Sequence, residues 1–471
     1  MAGQGAKMVV QFGGIVLLAR LLTPYDYGLM AMVTAIVGVA EILRDFGLSS
    51  AAIQAKQVSR EQRDNLFWIN SAIGLVLSVV VFFSASWIAR FYHEPVLVTI
   101  SQALAVTFLL NGMTTQYRAH LSRGLRFGQV ALSDVGAQTA GLVAGVVAAL
   151  VGWGYWALVL QQVVQALVNL VIAALCARWL PGRYRRNAPM RTFLSFGWNL
   201  MAAQLLGYAS RNVGQVIIGA RTGADALGLY NRAFQLLMMP LNQINAPATT
   251  VALPVLSQLQ DQRERFAAFL LRGQSTMVHL IVAVFAFACA QALPLIVLVL
   301  GEQWRAAVPL FQVLTIGGIF QAAAYAAYWV FLAKGLMRQQ LVYSLVARVL
   351  LIACILAGSV WGVMGVAVGY SVGLFVLWPL SLVWIGRISD APAAGLFHNG
   401  ARAIVGYGLC AAMSYGASYW VGGPLWQMLL VGAAAMALGF GMVCLAWPGF
   451  RRDVMAIVQI RKLLSEARGR R

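Results

Sequence analysis

Four polar residues mark one stripe of an otherwise apolar stretch: Gln204, Tyr208, Arg211 and Gln215, at i, i+4, i+7 and i+11. At helical periodicity they share a face. In lipid such a face must meet protein or water, because hydrocarbon satisfies no polar group. An unpaired arginine on that face favours a water-filled cavity that binds an anion, since the guanidinium fork matches phosphate bidentately. Interhelical hydrogen bonding is the plainer use of the same stripe. A second cluster is Glu41, Arg44 and Asp45. Positions 41 and 45 share a helical face, and Arg44 reaches Glu41 at i+3. The cluster is either mutually neutralised or a cation-responsive gate, in which a carboxylate beside an arginine changes protonation as a cavity opens.

Other charges also fall within apolar stretches. Arg232, after Leu229-Tyr230-Asn231, reads as an interface anchor or a cavity cation. Arg348 has no acidic residue within a turn and either snorkels to the surface or lines a cavity. Asp134 with Gln138 marks a further polar face, as do Gln161, Gln165 and Asn169, and Gln321, Tyr325 and Tyr328. Amides and aromatics along a cavity suit sugar hydroxyls, and equally suit helix packing. Enzyme chemistry has no foothold: the 4 histidines are not at ligand spacing, and there is no P-loop, nucleophile elbow or zinc-protease motif. The 5 cysteines are scattered without a C-x-x-C and read as small buried hydrophobes. No metal or cofactor is expected. Work must come from ion, potential or substrate gradients, with proton or sodium as the candidate coupling ion.

The elements that position these residues follow from composition. The 471 residues are 61% hydrophobic and 10% charged, with mean hydropathy +0.77, which excludes a soluble enzyme, a disordered protein and a disulfide scaffold. Apolar runs fall near 6–22, 28–52, 66–90, 96–116, 130–151, 154–177, 192–219, 226–256, 272–300, 306–332, 341–360, 363–385, 401–421 and 424–446. Each is long enough to cross a bilayer, and none alternates as a barrel strand does. The first run has no cleavage site and reads as a retained helix. With both termini in the cytoplasm, 26 of the 34 basic residues lie on the inner side and 4 on the outer. The net charge of +20 is then a topology signal, and no nucleic-acid partner is implied.

The sequence repeats weakly. Asp26-Tyr27-Gly28-Leu29 matches Asp225-Ala226-Leu227-Gly228-Leu229, Glu94 matches Glu302, Gly124-Leu125-Arg126 matches Gly335-Leu336-Met337-Arg338, and Trp153-Gly154 matches Trp361-Gly362. The offsets run from 200 to 211, with six spans between equivalent points. The expected fold is therefore an all-α membrane protein of about fourteen transmembrane helices, with two parallel six-helix lobes plus two C-terminal helices. The segments are an N-terminal lobe at 1–178, a basic cytoplasmic linker at 179–191, a C-terminal lobe at 192–385, an appended pair at 386–446 and a basic tail at 447–471.

Several strings carry a family resemblance: Ala19-Arg20-Leu21-Leu22-Thr23-Pro24-Tyr25-Asp26-Tyr27-Gly28-Leu29, Asp45-Phe46-Gly47-Leu48-Ser49-Ser50-Ala51, Leu66-Phe67-Trp68-Ile69-Asn70, Leu121-Ser122-Arg123-Gly124-Leu125-Arg126-Phe127 and Leu229-Tyr230-Asn231-Arg232-Ala233-Phe234-Gln235-Leu236. In combination, over roughly residues 1–385, the chain resembles Wzx-type oligosaccharide flippases of the multidrug/oligosaccharidyl-lipid/polysaccharide exporter superfamily, exopolysaccharide-type subgroup. Family members open on a longer basic amphipathic stretch, whereas here the first apolar run is short and Lys7, at its very start, is the only basic residue before its apolar body. The resemblance implies a two-lobed fold in the bacterial inner membrane with a central cationic cavity. It implies that an undecaprenyl-diphosphate-linked oligosaccharide is flipped to the outer leaflet by alternating access, for exopolysaccharide or lipopolysaccharide synthesis. Membrane lipids and the polymerase and export machinery of the pathway are the implied partners. Arg211 and Arg44 best fit the cavity arginines expected to meet the diphosphate. The other substrate-cavity candidates are Arg232, Arg348, Gln204, Tyr208 and Gln215, with Glu41, Asp45 and Asp134 as gating or ion-coupling candidates. A cation-coupled small-molecule antiporter of the same superfamily would want unpaired acids in its cavity. A membrane polymerase or ligase would want a sizeable outer catalytic loop.

Overall fold

The computed structural model describes residues 2–45, 48, 59–185 and 191–456. Among them are fourteen α-helices, two short 3-10 turns and no strand. In chain order the helices are α1 (Ala2–Leu21), α2 (Pro24–Asp45), α3 (Arg60–Tyr92), α4 (Leu97–Arg123), α5 (Phe127–Leu150), α6 (Trp156–Ala177) and α7 (Arg191–Gln258). Then follow α8 (Arg263–Ala290), α9 (Ala292–Leu300), α10 (Val308–Ala333), α11 (Met337–Gly358), α12 (Gly362–Ile388), α13 (Ala393–Val421) and α14 (Leu425–Ala446). Two expected spans share α7, whose run is broken at Gly223 by φ 86° and ψ −177°, and one expected span is divided between α8 and α9. Nine helical stretches among the described residues have the length and hydropathy to cross a membrane. Large apolar side chains point outward from them, such as Phe83 at 77% exposure, as suits helices solvated by lipid.

Short signals set the helix starts. Thr23 and Asp26 form a capping box: the Asp26 amide donates to Thr23 Oγ1, and the Thr23 amide donates to Asp26 Oδ2 at 2.9 Å. Pro24 occupies the first helical position, where a missing N–H costs nothing. Ser59 and Gln62 cap α3 in the same reciprocal way.

Packing separates a first unit, Met1–Gly228, from a second, Leu229–Arg471. In the first, α3 packs on α4, α4 on α6, and α5 on α6, with α1 against α5 and α2 against α3 and α4. In the second, α8 packs on α10, α10 on α12, and α11 on α12, with α13 on α8 and α14 on α13. The three core pairings of the first unit recur in the second between the helices that the sequence repeat equates.

The first arm of α7, 191–222, belongs to the first unit, and the chain just beyond it crosses α2 closely. A Cβ on Gly28 would lie 1.8 Å from the Ala224 carbonyl oxygen, and one on Gly228 would lie 1.9 Å from the Pro24 carbonyl oxygen. Only glycine lets two backbones approach so far. The start of the linker is pinned along α3: the Trp68 indole donates to the Gly182 carbonyl at 2.7 Å, and Asn65 exchanges two hydrogen bonds with the Arg185 backbone.

Candidate functional site

The first unit holds an open cavity of about 390 Å³ between α2, α4 and α6, lined by polar and apolar side chains and termed the polar cavity for its amides and hydroxyls. Its polar groups come from Thr34 and Glu41 of α2, Thr107 and Asn111 of α4, and Gln162, Gln165 and Asn169 of α6, set among the apolar side chains of Val37, Leu104, Phe108 and Ala166. On each helix these residues recur at three- and four-residue spacing, so each helix contributes one face. Hydroxyls, amides and one carboxylate give the cavity both donors and acceptors, the complement of a polyhydroxylated ligand.

Arg44 organises the carboxylate. Its Nη2 donates to Glu41 Oε1 at 2.8 Å, while Nη1 donates to the Asn111 carbonyl at 3.0 Å and to Thr115 Oγ1 at 2.6 Å. Arg44 is largely buried, whereas Glu41 keeps 43% of its side-chain surface accessible. The guanidinium therefore stitches α2 to α4, and Glu41 is the member of the pair that faces the cavity. Any influence of Arg44 on a ligand passes chiefly through Glu41.

Tyr208, on the first arm of α7, leans on α2. Its hydroxyl donates to the Thr34 carbonyl at 2.7 Å. It occupies the space left by Gly38, where a Cβ would lie 1.9 Å from the phenol oxygen. Gly38→Ala is expected to lower the melting temperature, and the double variant Gly38→Ala/Tyr208→Ala should recover part of the loss because the clash is gone. Additive losses in thermal unfolding would remove this contact from the account.

The remaining candidates are dispersed. Gln204 is exposed and Gln215 half-buried on α7; Arg211 lies on the same arm, with its side chain outside the described residues, as is that of Asp45. Asp134 is apart from the cavity, paired with Arg118 of α4 and with Lys7 of α1 at 3.7 Å, so it ties α5 to its neighbours. Arg232 and Arg348 belong to the second unit. Arg232 is 8% exposed and donates to Gln235; Arg348 is half-buried on α11.

One expected stripe is corrected by a single residue. Gln161 packs against α5, where a Cβ on Gly145 would lie 3.0 Å from its own Cβ, and its neighbour Gln162 reaches the cavity instead. Thr34, Thr107, Asn111 and Gln162 were missed by sequence reasoning. Asn111 carried a usable signal, being an amide directly after the apolar Phe108-Leu109-Leu110 within an expected span.

Beside the polar cavity lies an apolar crevice of about 520 Å³ between α2, α3 and the first arm of α7. Ile36, Val39, Ala40 and Leu43 of α2 line it together with Val80 and Trp87 of α3 and Val213 of α7. Val37 touches both spaces, so α2 is the partition between them.

A family model described as "Polysaccharide biosynthesis protein" matches residues 17–309, which include the whole cavity. The chain is 26% identical over 365 residues to the lipopolysaccharide biosynthesis protein WzxC of Escherichia coli K12, covering 75% of this chain and 72% of that protein. It is 29% identical over 302 residues to the teichuronic acid biosynthesis protein TuaB of Bacillus subtilis 168, covering 63% of this chain and 62% of that one. Among solved structures, the lipid II flippase MurJ in its inward closed conformation matches with a TM-score of 0.72 over 96% of this chain and 99% of that chain. At 11% identity, this likeness is one of fold.

Proposed function

The chain belongs to the polysaccharide biosynthesis protein family, and from that premise we propose that it flips an undecaprenyl-diphosphate-linked oligosaccharide across the bacterial inner membrane by alternating access. The observation that carries this reading is the partition made by α2. One face of the helix lines a cavity of amides, hydroxyls and a carboxylate, and the other lines an apolar crevice. An amphiphile with a sugar head and an isoprenoid tail has those two surfaces. In this reading Gln162, Gln165, Asn169 and Asn111 meet sugar hydroxyls, the crevice takes the first isoprene units, and Arg211 meets the diphosphate. Glu41, held by Arg44, is the group through which a proton or sodium ion couples to transport, with 1–178 and 192–385 as the moving halves. The bias of basic residues supports both termini in the cytoplasm. The polymerase and export machinery of the pathway are the partners that receive the flipped unit.

Deleting the gene tests the proposal. Lipid-linked repeat units should accumulate on the cytoplasmic face and the surface polymer should vanish. Unchanged polymer in a strain without a second flippase would sink it. At residue level, Arg211→Ala should reduce export at least about tenfold, the loss of one charge-assisted contact, while the protein still inserts. Arg211→Lys should restore part of the export if charge alone matters, and little if a bidentate fork is needed. Wild-type export by the Ala variant at equal expression would take Arg211 out of the site.

A further inference from the structure

Four arginines gather at one end of the first unit, away from the polar cavity. The starts of α3 and α5 and the ends of α4 and α6 surround a pocket of about 770 Å³, lined by Arg60, Arg63, Arg126 and Arg178 together with His120 and Trp179. Its volume lies in the range of ligand pockets, roughly 300–1,000 Å³. No carboxylate lines it among the described residues. Two acids lie beside it: Asp64 accepts from the Trp179 indole at 3.1 Å, and Glu61 pairs with Arg185. Asp64 offsets the charge of Arg63 in part, but four converging guanidiniums still outnumber it, and an anion relieves their mutual repulsion.

The pocket is also built, not merely charged. Trp179 is fixed edge-on against Phe67 and Tyr117, with ring centroids 6.0 and 5.4 Å away. The Arg63 guanidinium stacks on that indole at 4.2 Å. Its Nη1 lies 3.3 Å from His120 Nδ1. Arginine only donates, so Nδ1 accepts and the neutral imidazole keeps its N–H on Nε2, a further donor. Arg63 Nε is buried and has no hydrogen-bond partner among the described residues. Arg178 ends α6 in the left-handed conformation, φ 48° and ψ 38°, where an L side chain is strained and glycine is the usual choice. Such strain concentrates where a side chain serves a ligand.

We propose that this pocket binds a phosphate-bearing group, separately from the polar cavity and whatever the transported molecule is. The helix ends place it where hydrocarbon gives way to headgroups. The phosphodiester of an anionic phospholipid is one source of that chemistry, and a soluble phosphate is the other. Bound there, the group ties the ends of four helices to the beginning of the linker.

The full-length protein, purified and stripped of lipid, is the material for the test. Thermal unfolding is followed with phosphatidylcholine alone, with phosphatidylcholine and an equal part of phosphatidylglycerol, and in detergent with inorganic phosphate. Arg60→Gln/Arg126→Gln removes two exposed guanidiniums without touching the Arg63–Trp179 stack. Stabilisation by phosphatidylglycerol, with apparent affinity at least about tenfold weaker in the double variant, supports the proposal with a lipid as the source. Stabilisation by inorganic phosphate alone, lost in the same variant, supports it with a soluble phosphate. Arg263→Gln, an exposed arginine outside the pocket, should respond as wild type does. Equal responses from wild type and double variant, or an equal loss in Arg263→Gln, would overturn it in favour of general surface attraction.

Discussion

Gly28→Ala is expected to lower the stability of the folded protein by about 3 kcal/mol, the upper part of the usual range for overpacking. The added methyl would sit 1.8 Å from the Ala224 carbonyl oxygen and 2.4 Å from its carbonyl carbon. Both are backbone atoms, so no rotamer change makes room, and the two helices must move apart. Gly228→Ala meets the Pro24 carbonyl oxygen at 1.9 Å and should cost a similar amount. Gly408→Ala is the control: nothing lies within 4 Å of that position, and replacing a mid-helix glycine by alanine gains up to about 1 kcal/mol. Thermal unfolding of the three purified variants in one detergent separates the cases. If the Gly28 and Gly228 variants melted with wild type, the close crossing would not exist in the folded protein.

The second large effect is expected at Arg44. Arg44→Ala should nearly abolish export. It should also lower stability by about 1–2 kcal/mol, a figure kept low because water reaches the Glu41 carboxylate and screens the pair. Arg44→Lys should rescue little, since a single ammonium cannot hold Glu41 together with the Asn111 carbonyl and the Thr115 hydroxyl. The double variant Arg44→Ala/Glu41→Ala should be more stable than Arg44→Ala alone, because no carboxylate is then left without its cation. Transport should remain lost in the double variant. A purely additive cycle would show that the two side chains do not act as a unit.

How far these sites were legible depends on the range of the interaction. The Arg44–Glu41 pair is local, three residues apart on one helix, and helical periodicity exposes it. Its partners Asn111 and Thr115 stand 67 and 71 positions away, and no spacing rule reaches them. The same limit governs α6. A polar face was readable, but Gln161 and Gln162 sit about 100° apart around the axis, and only the packing of α5 decides which one faces the cavity. Helix boundaries show a related effect. The polar break at Thr23–Gly28 reads as a turn in hydropathy, yet the Thr23–Asp26 box makes it the first turn of α2. Across α7, two apolar runs were legible as separate spans, and Gly223 alone interrupts the helical backbone between them. The arginines at 60, 63, 126 and 178 were readable only as topology signals, because gathering them requires four helix ends to meet.

The crossing of α2 with the start of the second α7 arm obeys the rule of a self-complementary dimer contact. In a two-fold interface, residue i meets j and its equivalent j meets i. Here Gly28 meets Ala224 and Gly228 meets Pro24, and adding 200 to either member of the first copy gives its equivalent in the second. Two copies of one short motif thus face each other across a local dyad within a single chain. The dyad makes the two glycine contacts equivalent, so a methyl added at either one meets the same kind of backbone obstacle.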